Sequence, residues 1–184
     1  MSDPTATRAR ILDTAAALFY ERGVHAVGVQ EIVRRANASK LSLYRYFPSK
    51  EDLVREMLAE HSDRIHAWLR RKTADAPPGP QRVLSVFDLL IGWFAEPGYG
   101  GCTVLNTVTD TRMDPEITAI ARRHLTRYRA LLEERLREIG AGDPEGLARQ
   151  LLLLIEGASV VTSIDSSPGP GADARAAAAR LIAA

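Results

Sequence analysis

The sequence lacks most of the features that would place it in a specialised class. Its 184 residues include one cysteine, Cys102, so no disulfide forms within the chain and a reducing compartment is expected. No signal-like apolar run opens the chain, and the longest apolar runs, 151–155 and 157–161, fall far short of the roughly 20 residues that span a bilayer. These absences predict a soluble cytoplasmic protein with no membrane partner.

The sequence also lacks a large net charge. The 24 basic and 23 acidic residues leave a formal charge of +1, unlike the strongly basic balance of many nucleic-acid-binding domains. The distribution is uneven, however. Residues 1–50 contain eight basic and four acidic residues, a net charge of +4, and residues 51–184 contain sixteen and nineteen, a net charge of −3. Two of the three lysines, Lys40 and Lys50, lie in the basic part.

What the sequence does contain is helical periodicity interrupted by proline and glycine. Breaks fall at 74–80, 97–101, 140–144 and 166–171, and between them the apolar residues recur mostly at three- and four-residue intervals. No Asn-Gly or Asp-Gly hairpin signal and no sustained alternation occurs; residues 103–109 fit a strand or a short helix. We therefore predict an all-α chain of about nine helices.

The first fifty residues contain three predicted short helices, at 5–22, 29–36 and 40–47. Asn37 and Ala38 form a tight turn, and the hydroxyl of Ser39 can cap the third helix. Leu43 and Phe47 are four residues apart and can anchor that helix inward. The second and third helices thus form a predicted helix-turn-helix whose outward face is the size of a DNA major groove.

The chemistry of that outward face suits a phosphate backbone. No Asp or Glu occurs between Glu31 and Glu51, whereas lysine and arginine neutralise phosphates and tyrosine and serine hydroxyls donate hydrogen bonds to them. The alternative is an ordinary small helical bundle with a solvated basic face.

A more specific signal comes from the motifs themselves. The pattern IL…AA..LF at 11–19, Glu21 and Gly23, the helix at 32–36, and LYRYFPSKEDL at 43–53 resemble the DNA-binding domain of the TetR family of bacterial transcriptional regulators over about fifty residues. The sequence departs from the usual family pattern at Gly28 (Thr or Ser), at Asn37 or Leu41 (Gly), and at Tyr46 (His). The DNA-binding residues that the resemblance implies are Gln30, Ser39, Lys40, Leu41, Ser42, Tyr44, Arg45, Tyr46 and Lys50.

Within that set the resemblance implies different roles. Gln30, Lys40, Leu41, Ser42 and Arg45 are expected at or near the bases, Leu41 against a thymine methyl group. Tyr44, Tyr46 and Lys50 are expected on phosphates, and Ser39 caps the recognition helix.

The remaining residues, 51–184, are predicted to form a helical domain that binds an effector and joins two subunits. A mainly hydrophobic pocket is expected, and its alternative is plain core packing for each aromatic residue. The predicted ligand-binding residues are Phe87, Trp93, Phe94, Tyr99, Thr103, Asn106, Thr107, Met113 and Tyr128.

Self-association is predicted for the last two helices. The segment 147–164 combines leucines with small residues, and 172–184 is almost entirely small or apolar. The resemblance implies a two-fold dimer with a four-helix-bundle interface; alternatively, both helices only close the protomer's own core. The predicted interface residues are Leu151, Leu154, Gly157, Ala158, Val161, Ala177 and Leu181.

No catalytic, metal or cofactor site is predicted. The loop with Gly98, Gly100 and Gly101 lacks the Gly-Lys-Ser/Thr of a phosphate-binding loop. His61 and His66 are five residues apart, which misses the spacing of two ligands on one helical face. Cys102 is expected to have no nearby histidine, which favours an inert buried thiol over a redox role.

The sequence therefore predicts a regulator rather than an enzyme. We expect a homodimeric repressor that binds an inverted-repeat DNA operator and is released by a small hydrophobic molecule. The alternative is a helical small-molecule binding or carrier protein with no operator function.

Overall fold

The computed structural model describes residues 4–167 and 169–183, whose regular structure is entirely helical. These residues form the nine helices α1 (Pro4–Arg22), α2 (Val29–Arg35), α3 (Lys40–Tyr46), α4 (Lys50–Ala74), α5 (Pro80–Phe94), α6 (Thr103–Asp110), α7 (Pro115–Glu138), α8 (Pro144–Asp165) and α9 (Gly169–Ala183). The all-α prediction is thus confirmed. The segment that also fitted a strand is α6. Its buried residues are the neighbours Thr103 and Val104 and, four residues on, Thr107 and Val108, which is a helical pattern, since neighbouring residues of a strand face opposite sides.

The helix ends follow the capping signals in the sequence. Proline lies in the first turn of α5 and of α8, and the Asp143 carboxylate accepts a hydrogen bond from the Gly146 N–H at 2.8 Å. α2 and α3 each end one residue earlier than predicted, because Ala36 and Phe47 are their C-caps. α4 continues to Ala74, the first residue of the predicted break at 74–80.

The described chain divides into two compact units. The first comprises the described residues up to Ser62 together with Thr103–Ala121, and the second comprises Asp63–Cys102 and the described residues from Arg122 onward. The first part of α4 belongs to the first unit, and its apolar residues, Leu53 and Met57 among them, are fully buried. The predicted functional domains, 1–50 and 51–184, divide the chain by expected role and not by packing. They stay a prediction.

The first unit contains the head, which we define as α1–α3 with their connecting turns. Each of these three helices contacts the other two. Each leucine, isoleucine or phenylalanine buried there contributes about 1.5–3 kcal/mol, which offsets the entropy of ordering such short helices. The large, fully buried side chains of the head are Ile11, Leu12, Leu18, Ile32, Leu43 and Phe47.

The second unit is built on the packing of α9 against α5 and α8. The small residues Gly171, Ala174 and Ala178 are the buried residues of α9, so its backbone approaches α5 closely. A Cβ atom at Gly171 would lie 2.8 Å from Cγ1 of Ile91. The alanine-rich tail therefore covers the core of its own protomer on one side.

One described helix, α8, is long and apolar enough to cross a membrane, with 22 residues and a mean hydropathy of 1.4. Core helices of globular proteins meet the same criteria. Leu151, Leu152 and Ile155 of α8 are buried within the second unit, and the helix carries the charged residue Glu156 in its middle. These features favour a core helix, with one apolar side described below.

Candidate nucleic-acid interface

The helix-turn-helix that the sequence predicts is present in the head. α2 is followed by a turn in which Asn37 adopts the left-handed conformation (φ 47°), which asparagine tolerates better than most residues. Ser39 then caps α3 by accepting a hydrogen bond from the Ser42 N–H at 3.0 Å. The capping role predicted for Ser39 therefore has a direct structural basis.

Two buried residues hold α3 in place from its inner side. Leu43 and Phe47 are both fully buried, and the Phe47 N–H closes the helix on the Leu43 carbonyl at 2.8 Å. The guanidinium of Arg8 lies over the Phe47 ring at 5.3 Å and is paired with Glu56 and Glu60 of α4. This packing fixes which residues of α3 face outward.

The outward face of α3 presents most of the residues predicted to bind DNA. Leu41 is 82% exposed and Tyr44 is 47% exposed, which is unusual for large apolar and aromatic side chains without a partner. Lys40 and Arg45 are also exposed, and Ser42 is half-buried. This face offers two cations, two hydroxyls and one apolar side chain to a groove.

The other predicted DNA-binding residues lie around α3. Gln30 and Ser39 are exposed, whereas Tyr46 is half-buried against the edge of the Phe47 ring. Lys50 is engaged inside the unit: its Nζ donates to the Val24 carbonyl at 2.6 Å and lies 5.9 Å from the centre of the Phe19 ring. The phosphate contact predicted for Lys50 stays a prediction.

The charge of the head is positive at this face. Glu31 is paired with Arg22 and Arg35, so its carboxylate is already neutralised. Over residues 4–167 and 169–183, Arg34, Lys40 and Arg45 form no ion pair with an acidic side chain. Such unpaired cations can neutralise the phosphates of a DNA backbone, and the neighbouring hydroxyl groups can donate hydrogen bonds to them.

A contact that no sequence motif indicated ties the head to α6. The Asp110 carboxylate, the last residue of α6, accepts a hydrogen bond from the Val24 N–H at 2.5 Å and a longer one from the His25 N–H at 3.4 Å. Because Lys50 holds the Val24 carbonyl, both polar groups of this peptide segment are bound to side chains of other helices. We name the Asp110–Val24–Lys50 arrangement the Val24 clasp.

Gly23 allows the clasp to form. Its φ of +78° lies in the left-handed region, and a Cβ atom there would be 3.1 Å from Oδ2 of Asp110. The glycine at the end of α1 therefore serves two purposes, as a helix C-cap and as space for an approaching carboxylate.

We expect an Asp110→Ala variant to lose about 1–3 kcal/mol of unfolding free energy, because the half-buried Val24 N–H is left without an acceptor. Urea denaturation followed by circular dichroism measures this difference. The matched control is Thr109→Ala on the same helix, where an exposed side chain makes one 3.5 Å contact with its own helix and little change is expected. Equal stability of the two variants would contradict the proposed strength of the clasp.

The predicted ligand-binding residues of the first unit are partly grouped. Thr103, Asn106 and Thr107 of α6 line a pocket of about 190 Å³ beside the end of α1 and Asp110. Met113 does not line this pocket; it is 63% exposed in the turn before α7.

The predicted ligand-binding residues of the second unit form a separate, mainly aromatic group. The Tyr99 ring lies 5.6 Å from Trp93 and 4.9 Å from Phe94 between ring centres, and its hydroxyl is 2.6 Å from the Ser159 hydroxyl. Phe87 is buried in the core of the same unit. Tyr128 is also buried there, which raises the pKa of its phenol well above the usual value. The ligand-binding role of both groups stays a prediction.

Cys102 has histidines near it in space, although none lies near it in sequence. Its Sγ atom is 3.7 Å from Nε2 of His124, and Nδ1 of His124 is 3.1 Å from Nε2 of His66. Both imidazoles are buried, and burial lowers the pKa of His66 to about 4, so His66 is neutral at pH 7. The expectation that Cys102 has no histidine beside it is therefore wrong, because helices α4 and α7 bring the two rings together.

Glu156 is a further residue that the sequence did not single out as functional. It lies half-buried in α8, and burial raises the pKa of its carboxyl group to about 7. A carboxyl group with an ordinary pKa of 4.5 in the unfolded chain therefore destabilises the folded protein increasingly as the pH rises from 4.5 to about 7.

Glu156→Gln is consequently expected to be more stable than the unmodified protein by about 2–3 kcal/mol at pH 8 and nearly equal to it at pH 4.5. Denaturant titrations at both pH values measure this. Glu145→Gln, on an exposed position of the same helix, is the matched control and should change stability by less than about 0.5 kcal/mol. A Glu156→Gln protein no more stable at pH 8 would show that the carboxylate is well solvated.

The predicted dimer-interface residues fall into two groups. Leu151 and Ala158 are buried in the core of the protomer, and Leu154, Ala177 and Leu181 are half-buried. Gly157 and Val161 are exposed on α8, where Leu153, Val160 and Ile164 are exposed too. We name this apolar side of α8 the α8 stripe; its members are Leu153, Gly157, Val160, Val161 and Ile164.

Comparisons with known proteins match both parts of the chain. A family model for bacterial regulatory proteins of the tetR family matches residues 11–57, and a model described as a tetracyclin repressor-like C-terminal domain matches residues 107–184. Together these two matches cover more than half of the chain.

Individual relatives agree with these two family models. The chain is 28% identical over 112 residues to the transcriptional activator FasR of Mycolicibacterium smegmatis, covering 61% of this chain and 50% of FasR. It is 41% identical over 63 residues to the transcriptional repressor KstR2 of Mycobacterium tuberculosis, covering 34% of this chain and 32% of KstR2. The chain thus spans half or less of the length of these curated relatives.

Among solved structures, SCO4454 of Streptomyces coelicolor, a TetR-family transcriptional regulator, matches with a TM-score of 0.88 at 26% identity. The match covers 98% of this chain and 97% of that one.

Proposed function

The chain belongs to the TetR family of bacterial transcriptional regulators, and on that premise we propose that it is a homodimeric repressor released from its operator by a small hydrophobic molecule. As a member of this family it is a helix-turn-helix DNA-binding regulator and not an enzyme. The finer statements, on repression, dimerisation, the effector and a cytoplasmic location, are proposals.

The observation that carries the DNA-binding part is the outward face of α3. The recognition helix presents exposed Lys40, Leu41, Tyr44 and Arg45 while Leu43 and Phe47 hold it from within. In a dimer, each of the two α3 helices enters a major groove, and the pair binds two half-sites related by the two-fold axis.

The α8 stripe supports the dimer. Leu153 is 73% exposed and Ile164 is 74% exposed, and the five residues of the stripe share one side of a helix. Apolar side chains at this spacing without a covering element mark an interaction surface, and Gly157 in the middle allows a second helix to approach closely. A second copy of this chain would place the same stripe opposite it.

The Val24 clasp supports a route from effector to DNA. Asp110 at the end of α6 and Lys50 at the start of α4 hold the turn between α1 and α2 from two sides. A molecule that binds better to a conformation with α6 displaced would pull on that turn and change how the head is presented. It shifts the population only by its difference in affinity for the two conformations.

The test of this function is a selection of genomic DNA fragments with the purified full-length protein. We expect enriched fragments to share one inverted repeat, and a promoter fused to that repeat to be silenced when the protein is produced. Enrichment without a shared repeat would contradict operator binding and favour a helical small-molecule binding protein. Increased transcription from the promoter would contradict repression.

A further inference from the structure

Three side chains of the second unit form a row that leads from an accessible thiol into the interior. They are Cys102 in the segment before α6, His124 of α7 and His66 of α4. The Cys102 Sγ atom lies 3.7 Å from Nε2 of His124, and Nδ1 of His124 lies 3.1 Å from Nε2 of His66. Cys102 is half-buried and both histidines are buried. A thiol that a small molecule can reach is therefore backed by two imidazoles shielded from solvent.

The ring of Tyr128 holds both imidazoles in this orientation. Its centre lies 5.1 Å from that of His124 and 4.6 Å from that of His66, with an edge-to-face arrangement in both cases. Tyr128 is itself buried, and burial raises the pKa of its phenol, so the ring stays uncharged. Because three packed rings leave the imidazoles little freedom to rotate, Nε2 of His124 stays directed at the thiol.

The order of the nitrogen atoms decides where the protons go. A neutral imidazole carries one N–H group, so when Nδ1 of His124 donates to His66, Nε2 of His124 offers its lone pair to the thiol proton. Burial, with the charge of Arg127 as the second cause, lowers the pKa of His66 to about 4. His66 is therefore neutral at pH 7 and accepts a hydrogen bond from a protonated His124 without taking its proton.

The charged form of this row is suited to its half-buried position. Transfer of the proton produces a thiolate and an imidazolium side by side, and this pair has no net charge, which limits the cost of desolvation. A nucleophile next to a base that is itself oriented by a third group is the arrangement that activates cysteine thiols in proteins. A thiol that only fills space in a core needs neither histidine.

Going beyond the proposed function, and independently of it, we propose that Cys102 binds α,β-unsaturated carbonyl compounds covalently, with His124 as the base and His66 as the positioning residue. The thiol proton passes to Nε2 of His124, and the thiolate sulfur forms a bond to the β carbon of the electrophile. The π electrons of the C=C bond move to the α carbon and the carbonyl group as an enolate, which takes the proton back from His124 at its α carbon. The product is a saturated thioether, and no oxidant or reductant is consumed.

The test is the second-order rate at which the full-length protein forms an adduct with methyl vinyl ketone at pH 7, followed by intact-protein mass spectrometry. The references are the urea-unfolded protein and N-acetylcysteine, each in the matching solvent. An ordinary thiol, with a pKa of about 8.5, is only a few per cent thiolate at pH 7. A thiol paired with histidine is mostly thiolate, although a somewhat weaker nucleophile. We therefore expect folded Cys102 to react about ten-fold faster than either reference.

Variants assign the roles within the row. His124→Gln keeps a hydrogen-bonding group beside the thiol but no base, and its rate should fall to that of the references. His66→Phe should lose most of the acceleration, whereas His66→Gln, which again offers an acceptor to His124, should recover it. A purely structural role of His66 would not separate these two variants. His25→Gln, at an exposed histidine of the first unit, is the matched control and should react as the unmodified protein does.

A folded protein that reacts no faster than the references would overturn the proposal, and this comparison needs no variant to fold. An unchanged rate in His124→Gln would overturn it as well. Cys102→Ser is expected to form no adduct at this rate, and an adduct formed equally fast in that variant would place the reaction on another residue and contradict the proposal.

Discussion

A Lys40→Ala/Tyr44→Ala double variant is expected to stay folded and dimeric while its affinity for the operator falls by about a thousand-fold. Both side chains are exposed on α3 and neither contributes to the buried core of the head, so their removal leaves Leu43 and Phe47 in place. Each subunit of the proposed dimer loses two DNA contacts, that of Lys40 at or near the bases and that of Tyr44 to a phosphate. At about 1 kcal/mol for each lost contact, four contacts amount to about three orders of magnitude.

Fluorescence anisotropy with labelled operator DNA at several salt concentrations measures this loss. Removing one lysine from each subunit should also lower the slope of log affinity against log salt by about 2, an effect that misfolding does not produce. Lys72→Ala, an exposed lysine at the other end of α4, is the matched control and should bind as the unmodified protein does. Unchanged sequence-specific binding by the double variant would contradict the assignment of α3 as the recognition helix.

A Leu153→Glu/Ile164→Glu double variant is expected to be monomeric and to bind the operator at least a hundred-fold more weakly. Both side chains are almost three-quarters exposed, so charging them costs the folded protomer little. In the proposed dimer, however, they would face their symmetry mates. Four carboxylates in a shared apolar interface would be desolvated and would repel one another.

Light scattering with size-exclusion chromatography measures the mass, and anisotropy measures the affinity. Met113→Glu places the same charge on another exposed apolar residue, outside the α8 stripe, and should remain dimeric. A Leu153→Glu/Ile164→Glu protein that is still dimeric would show that the subunits associate through another surface.

The parts of this fold that could be predicted are those encoded by neighbouring residues. Capping by Ser39 and Asp143, the turn at Asn37, and the inward spacing of Leu43 and Phe47 depend on side chains within one or two helical turns. Such local signals are present in the sequence whatever the tertiary structure. For this reason the three helices of the head were predicted to within one residue at each end, and the number of helices was predicted as well.

The contacts that could not be predicted join residues far apart in the chain. Asp110 and Val24 are 86 residues apart, and His66 and His124 are 58 residues apart. Leucines 151 and 153 look alike in sequence, yet one is fully buried and the other is 73% exposed. Which side of α8 faces the core is decided by its packing against α5 and α9. The desolvation of Glu156 likewise arises from tertiary burial. No local pattern encodes these outcomes.

Dimethyl sulfate footprinting of the selected operator shows whether α3 lies in the major groove, because this reagent methylates guanine N7 there. We expect protection in two half-sites, symmetric about the centre of the repeat and about one helical turn or more apart. That protection should be absent with Lys40→Ala/Tyr44→Ala at the same protein concentration. Protection confined to a single half-site, or operator binding that leaves guanine N7 reactive throughout, would contradict this expectation.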